Sequence, residues 1–219
     1  MSRLIDLGSI SAELSVRAEQ VLFDTSEENT LILYSRNESV ISSGKFQNIS
    51  ECVTENAIED NIKIIRRSSG GSCIFSSEKQ ITYSLILTRS MDRNVSFETI
   101  CNCLVSALEF LGVKGSYKHP NDVLVEGLKI SGSAQYRSDN RMMQHGTIII
   151  QNEQAQIERY LVRKEGSVNT TSLEDVLGRV PDRTEIKEAL IKGFKGFLGN
   201  IREEELTAET IISSCRSDP

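Results

Sequence analysis

The 219-residue chain has no tryptophan and only two histidines, His119 and His145. It has no Cys-x-x-Cys pair, and its five cysteines (Cys52, Cys73, Cys101, Cys103 and Cys215) are odd in number and irregularly spaced. That inventory argues against a tetrahedral zinc site and equally against a disulfide framework. A reducing, cytoplasmic location is the corresponding expectation. No apolar run approaches the roughly 20 residues a membrane span needs. The start, Met1-Ser2-Arg3-Leu4-Ile5-Asp6, lacks a basic segment followed by a long apolar stretch, so no signal peptide is expected either. Positive charge is not in surplus: the formal net charge is −6. General affinity for nucleic acid or an anionic membrane is therefore not expected, although a local basic cleft is compatible with it.

What is present fits one domain spanning 1–219. The hydrophobic fraction is 38% and the charged fraction 26%, the balance of a soluble globular protein, and there is no internal repeat. Leu14, Ala18, Val21 and Leu22 share one face of a helix over 12–23. Strands are predicted over 30–35, 40–41, 61–66, 80–88 and 146–151, with a short helix over 51–59. Ser96 can cap a helix whose stripe is Phe97, Ile100, Leu104, Leu108 and Leu111, and Gly112 lies where a C-terminal glycine belongs. Residues 123–131 read as two strands turning at Glu126-Gly127. Helices follow near 154–162, 183–198 (just after Pro181) and 207–214. Strands in the middle with helices at both ends predict an α+β layer, a mostly antiparallel sheet covered by helices.

Two segments carry the chemistry. The first is Arg66-Arg67-Ser68-Ser69-Gly70-Gly71-Ser72-Cys73. Small residues let a ligand approach the backbone, turn amides converge on anions, and an arginine fork matches a carboxylate or phosphate. An ordinary flexible loop after a charged strand has the same composition. The second is Asn121-Asp122, followed by Lys129 and Ser131-Gly132-Ser133-Ala134. Lys129 at the end of a tight hairpin would place a point charge beside exposed backbone, suited to an α-phosphate or a mixed anhydride; a solvated edge-strand lysine reads the same way. Asp122 can hold Mg²⁺ through oxygen or, with Asn121, simply form a turn after Pro120. His145, before Gly146-Thr147 at a strand start, can contact a ligand or simply cap the strand. Cys73 is read as a small buried residue rather than a nucleophile, and Cys101 and Cys103 as packing residues.

Taken in order, these segments resemble the lipoate–protein ligase branch of the biotin/lipoate ligase family. The match runs from the Ser15–Phe23 helix through Gly44-Lys45-Phe46-Gln47-Asn48, the Arg66–Ser72 loop, Asn121-Asp122, the stretch from Gly127 to Gln135, and His145-Gly146-Thr147. The segments Thr171–Arg179 and Glu205-Leu206-Thr207 are similar to the end of the family's catalytic domain. The resemblance implies a central mixed, mostly antiparallel sheet flanked by helices, related to class II aminoacyl-tRNA synthetases and biotin ligases. It implies that lipoate and MgATP give lipoyl-AMP, and that the acyl group passes to a lysine of an E2 lipoyl domain of a 2-oxoacid dehydrogenase or of the glycine-cleavage H protein. By matching position, Lys129 would be the catalytic cation at the α-phosphate and acyl oxygens. Arg66, Ser69, Gly70, Gly71, Ser72 and Cys73 would line the lipoyl-AMP cleft, and Asn121 and Asp122 would face nucleotide and metal. Gly132, Ser133, Ala134, His145 and Thr147 complete the set.

Three departures accompany the likeness. Ser72 stands where the family usually has a third glycine, and Ser76-Ser77 where it has His-Asp. The chain also ends soon after Leu206-Thr207, without the accessory C-terminal domain of longer ligases, which some relatives carry as a separate polypeptide. A catalytic subunit with a small partner is the expectation. Two alternatives are an ATP-independent octanoyl or lipoyl transferase, whose cysteine is missing from Lys114–Pro120, and a non-catalytic lipoate-binding paralogue, favoured by Ser76-Ser77. The absence of tryptophan and of the aromatic glycine motif speaks against a biotin ligase.

Overall fold

A computed structural model describes residues 2–88, 95–138, 140–163 and 165–214; Cys215 lies outside them. In chain order the elements are β1 (Ser2–Ile10), α1 (Ala12–Thr25), β2 (Asn29–Arg36), β3 (Val40–Ser43), α2 (Glu55–Glu59), β4 (Lys63–Arg66), β5 (Ile74–Ser76) and β6 (Gln80–Leu87). They continue with α3 (Phe97–Phe110), β7 (Gly115–Lys118), β8 (Asp122–Val125), β9 (Leu128–Arg137), β10 (Met142–Ile149), α4 (Gln154–Tyr160), α5 (Leu173–Leu177), α6 (Arg183–Leu198), β11 (Ile201–Glu203) and α7 (Ala208–Ser214).

An eight-stranded sheet in the order β11-β1-β2-β6-β10-β9-β8-β7 organises the molecule, beside a three-stranded sheet, β4-β3-β5. In the large sheet β1 pairs in parallel with β2 and β11, and every other pairing is antiparallel. The architecture is thus the α+β, mixed and mostly antiparallel sheet with helices that the resemblance implies.

The continuous apolar runs of β2 and β6 have a simple cause: both faces of the sheet are covered. Successive side chains point to opposite faces. Leu31 and Leu33 of β2, with Ile81, Tyr83 and Leu85 of β6, pack against Leu104 and Leu108 of α3 and Phe194 of α6. Ile32 and Tyr34, with Ile86, pack on the other side against Ala18, Leu22 and Phe23 of α1 and Ile211 of α7. The helices start where capping predicts, since Ser11, Ser96 and Asp182 each accept a backbone N–H from the first turn. Gly112, at φ +78°, follows the end of α3.

Sequence and structure differ at β1, which carries no clean alternation. Its register shifts between Asp6 and Ser9, where Gly8 adopts φ +67° and donates to Asp6 Oδ1. A bulge puts an extra residue into the period-two pattern and hides the strand. The expected helix over 51–59 is broken in two. A 3₁₀ turn covers Ile49–Glu51, and α2 begins only after Thr54, because Val53 is drawn into a bridge with Leu161.

The expectation against disulfides is also overturned, because Cys52 and Cys73 are bonded to one another, with Cα atoms 6.1 Å apart. Irregular spacing gives no hint of such a pair, since the two residues meet only when β5 folds back on β3. Among the described residues no helix is long and apolar enough to cross a membrane.

Candidate functional site

The β8–β9 hairpin turns through Glu126 (φ 51°) and Gly127 (φ 82°), two consecutive left-handed residues that match strand twist in a tight hairpin. It sets Lys129 beside Asp122, with Nζ 2.6 Å from Oδ1, an ion pair whose angles do not make a directed hydrogen bond. Gly132, the cross-strand neighbour of Asp122, gives the lysine its room. A Cβ there would lie 2.6 Å from Lys129 Cε and Nζ. The lysine main chain is itself fastened, as its N–H donates to Asn169 O (2.8 Å) and its carbonyl accepts from Thr171 N–H (3.0 Å). Asn121 Nδ2 donates to Ser133 O, and Ser133 Oγ shares a 2.7 Å hydrogen bond with Tyr83 OH, tying the hairpin to β6.

The glycine loop is braced from inside by one arginine. Arg67 donates to Ser42 O, Gly70 O and Ser72 O (2.7 Å each) and to Ser69 Oγ (3.0 Å). Burial and the nearby charge of Arg36 bring the Arg67 guanidinium down to about 10, so it stays charged at neutral pH. Arg66, the residue expected to meet ligand, faces the other way. Its Nη1 donates to the carbonyls of Gly44, Lys45 and Gln47. Adjacent residues leaving β4 diverge to opposite sides, so only one of the two arginines can turn inward. Arg67 takes that place.

Behind the loop lies a hydrogen-bonded chain. Ser69 Oγ is 2.6 Å from His145 Nε2, and His145 Nδ1 is 3.1 Å from Glu19 Oε2. Tyr34 OH donates to Glu19 Oε1 (3.1 Å). The order of groups is that of a hydrolase triad, but Ser69 is wholly buried and does not border the cavity, so the chain braces the loop instead of supplying a nucleophile. Burial pushes the Glu19 carboxyl up, but His145 and Arg36 more than offset it, and the net position is below the usual glutamate value. A group depressed on folding stabilises above its unfolded pKa and loses that contribution as pH falls through the folded one. Thermal stability is therefore expected to drop below about pH 4.5, and Glu19→Gln to flatten that part of the curve. Parallel melting curves from pH 3 to 7 check this.

These pieces surround one cavity of about 750 Å³. Of the residues singled out in the sequence, Gly71, Ser72, Cys73, Asn121, Asp122, Lys129, Gly132, Ser133, Ala134, His145 and Thr147 border it. Ser69 and Gly70 stand behind, held by Arg67, and Arg66 is outside. The loop and the lysine strand close on each other, since a Cβ on Gly71 would lie 4.0 Å from Ala134 Cβ. Arg36, Arg67, Lys118 and Lys129 give the cavity cationic character, and Ile74, Phe75, Ile157 and Leu161 give it an apolar wall. Sequence reasoning missed Glu19, Arg36 and Lys118. Glu19 had a usable signal: it sits among Ser15, Ala18 and Leu22 on the buried stripe of α1. Ser76 and Ser77 do not border the cavity; Ser77 Oγ donates to the buried Glu153.

Gly132→Ala separates fold from site. The new methyl meets the flexible end of Lys129 and approaches Asp122 Oδ1 to 3.3 Å, side-chain atoms in both cases, so melting temperature should change little, while the lysine must leave Asp122 and activity should fall by about tenfold or more. A large loss of stability with activity retained per folded molecule would contradict this arrangement.

The fold is the one shared by lipoate–protein ligase and biotin protein ligase structures. It superposes on the bipartite lipoate protein ligase of Thermoplasma acidophilum with a TM-score of 0.83 at 20% identity, covering 97% of this chain and 91% of that one. A lipoate-protein ligase A bound with ATP superposes with a TM-score of 0.83 at 18% identity, covering 97% and 93%. In sequence, the lipoate-protein ligase LplJ of Bacillus subtilis is 29% identical over 160 residues, 73% of this chain and 48% of that protein. The chain spans about half the length of the curated relatives it matches. The lipoyl protein ligase A/B catalytic domain profile matches residues 11–195, and the chain belongs to that family.

Proposed function

We propose that this chain, as one catalytic domain over 1–219, is an ATP-dependent lipoate–protein ligase. The observation that carries the reading is the single cavity in which the glycine loop, the Lys129–Asp122 pair and an apolar wall meet. A lipoate carboxylate oxygen attacks the α-phosphorus of ATP, the bond to pyrophosphate breaks, and lipoyl-AMP forms. The neutral amine of an acceptor lysine then attacks the acyl carbon, and AMP leaves. Negative charge grows on the phosphoryl and acyl oxygens in both steps, and a fixed cation in a site partly screened from water stabilises it. Lys129 supplies that cation and Asp122 orients it. The apolar wall of Ile74, Phe75 and Leu161 takes the acyl chain. The relative solved with ATP supports the nucleotide assignment.

Among the described residues no group of three His, Cys, Asp or Glu could hold a metal. The Asp122 carboxylate at the cavity fits a magnesium ion that arrives with the phosphates, as this ion commonly binds through one or two carboxylates. Asp122, with one oxygen beside Lys129, is the side chain that would contribute, and the ion would neutralise phosphate charge.

Acceptors are lipoyl domains of 2-oxoacid dehydrogenase E2 subunits or the glycine-cleavage H protein, in a cytoplasmic setting. A small accessory subunit completes the activation step, a reading supported by the two-part Thermoplasma ligase. The transferase alternative needs an accessible nucleophilic cysteine. Among the described cysteines, burial raises the thiols of Cys101 and Cys103 to about 11, and Cys73 is bonded to Cys52.

The test is mass spectrometry of a lipoyl domain incubated with this chain, lipoate, ATP and magnesium, with and without a candidate accessory subunit. An ATP-dependent lipoyl mass shift is expected. ATP-independent transfer from octanoyl-carrier protein, or lipoate binding without AMP formation under all conditions, overturns the reading. Lipoyl-AMP formation at full rate by the chain alone removes the partner.

A further inference from the structure

The Cys52–Cys73 disulfide is not placed as a peripheral staple. Both residues border the 750 Å³ cavity, both are nearly inaccessible to solvent, and Cys73 is two residues from Gly71 of the glycine loop. Around the pair pack Ile41, Val53, Ala57, Phe75 and Leu161, so it lies on the apolar wall and not in the cationic part. Both residues contribute to the cavity lining, so a molecule seated there packs against the pair. The other two described cysteines, Cys101 and Cys103, are buried thiols raised to about 11, poorly suited to scrambling the bond.

We infer that Cys52–Cys73 is a thiol–disulfide exchange site within the acyl cavity, and that its reaction partner is a carboxylic acid bearing a 1,3-dithiol, the reduced form of a 1,2-dithiolane acid. The identity of the chain rests on the ligase reading. One thiolate of the bound dithiol attacks Sγ of Cys52 or Cys73; a mixed disulfide forms, and the other cysteine leaves as thiolate and takes up a proton. The second thiolate of the chain then attacks its own mixed-disulfide sulfur, closes the five-membered dithiolane ring and releases the second cysteine, which is protonated in turn. One S–S bond breaks and one forms. Two electrons and two protons pass from the acyl chain to the protein, with no further oxidant. Binding favours the first step by raising local concentration, and ring closure favours the second because it is intramolecular. The product dithiol frees the loop at Cys73 from the segment at Cys52.

The full chain, purified without reductant, is mixed with dihydrolipoate. Trapping with N-ethylmaleimide followed by peptide mass mapping reads the thiols of Cys52 and Cys73 over time. Dithiothreitol at equal concentration is the comparison, octanoate is the competitor, and binding of octanoate and lipoate is measured in parallel by calorimetry. Dihydrolipoate is expected to open the bond about tenfold faster or more than dithiothreitol, with a saturating rate that octanoate slows. Equal rates for the two dithiols, no effect of octanoate, or both cysteines alkylated in the air-oxidised protein before any dithiol is added, would overturn the inference. If the acids bind and the rates are nonetheless equal, the exchange site alone falls. If neither acid binds, the ligase reading falls with it.

Discussion

Replacing Lys129 with alanine is expected to lower lipoyl-AMP formation by about 10²–10³-fold, the range seen when a preorganised charge-stabilising group is removed from a reacting centre, about 2.7–4 kcal/mol in the barrier. The loss should appear in kcat for pyrophosphate release more than in the KM for lipoate, because the cation is needed most where charge develops. Stability should hardly change: the pair is partly open to solvent, and such ion pairs contribute about 0–1 kcal/mol. Lys129→Arg is not a rescue. The planar fork does not reproduce the compact point charge of an ammonium that lies against Gly132. Pyrophosphate release by Lys129→Ala within threefold of the parent chain would remove the lysine from the chemistry.

Gly44→Ala is expected to be nearly as damaging by a different route. A Cβ at 44 would overlap the Gly71 carbonyl oxygen and approach Gly71 C to 2.9 Å and Gly70 C to 3.0 Å. All three are main-chain atoms, so no side chain can swing aside. The contact also lies where Lys45 N–H donates to Ser69 O and where Arg66 gathers the carbonyls of residues 44, 45 and 47. Relief requires the glycine loop to back away from the strand, taking Arg67's hydrogen bonds with it. A stability loss of about 1–3 kcal/mol follows from overpacking, together with loss of lipoate binding by tenfold or more. Calorimetric titration and thermal melting read the two effects separately. Unchanged affinity in a folded Gly44→Ala protein would mean that the loop does not shape the ligand site.

The large sheet was legible because its central strands are covered on both faces and so carry unbroken apolar runs, and because caps at Ser96 and near Asp182 mark their helices. The hairpin was legible from Glu126-Gly127, since few dipeptides accept two left-handed residues in succession. What escaped depends on long-range geometry. The bulge at Gly8 hid β1, and α5 is too short to show a period. Arg66 and Arg67 are indistinguishable in composition, and only the direction of exit from β4 decides which turns inward. Glu19 is 126 residues from the histidine it meets. A lone acidic residue on an apolar helix face is easily read as tolerated when it is in fact partnered.

The hydrogen bonds from Asn169 and Thr171 to the main chain of Lys129 have a mechanical consequence. Residues 161–163 and 165–168, which line the cavity, precede those two anchors in the chain. A displacement of that wall would pull on the strand carrying the ammonium group. The position of that wall and the position of the charge are therefore mechanically linked through two main-chain hydrogen bonds.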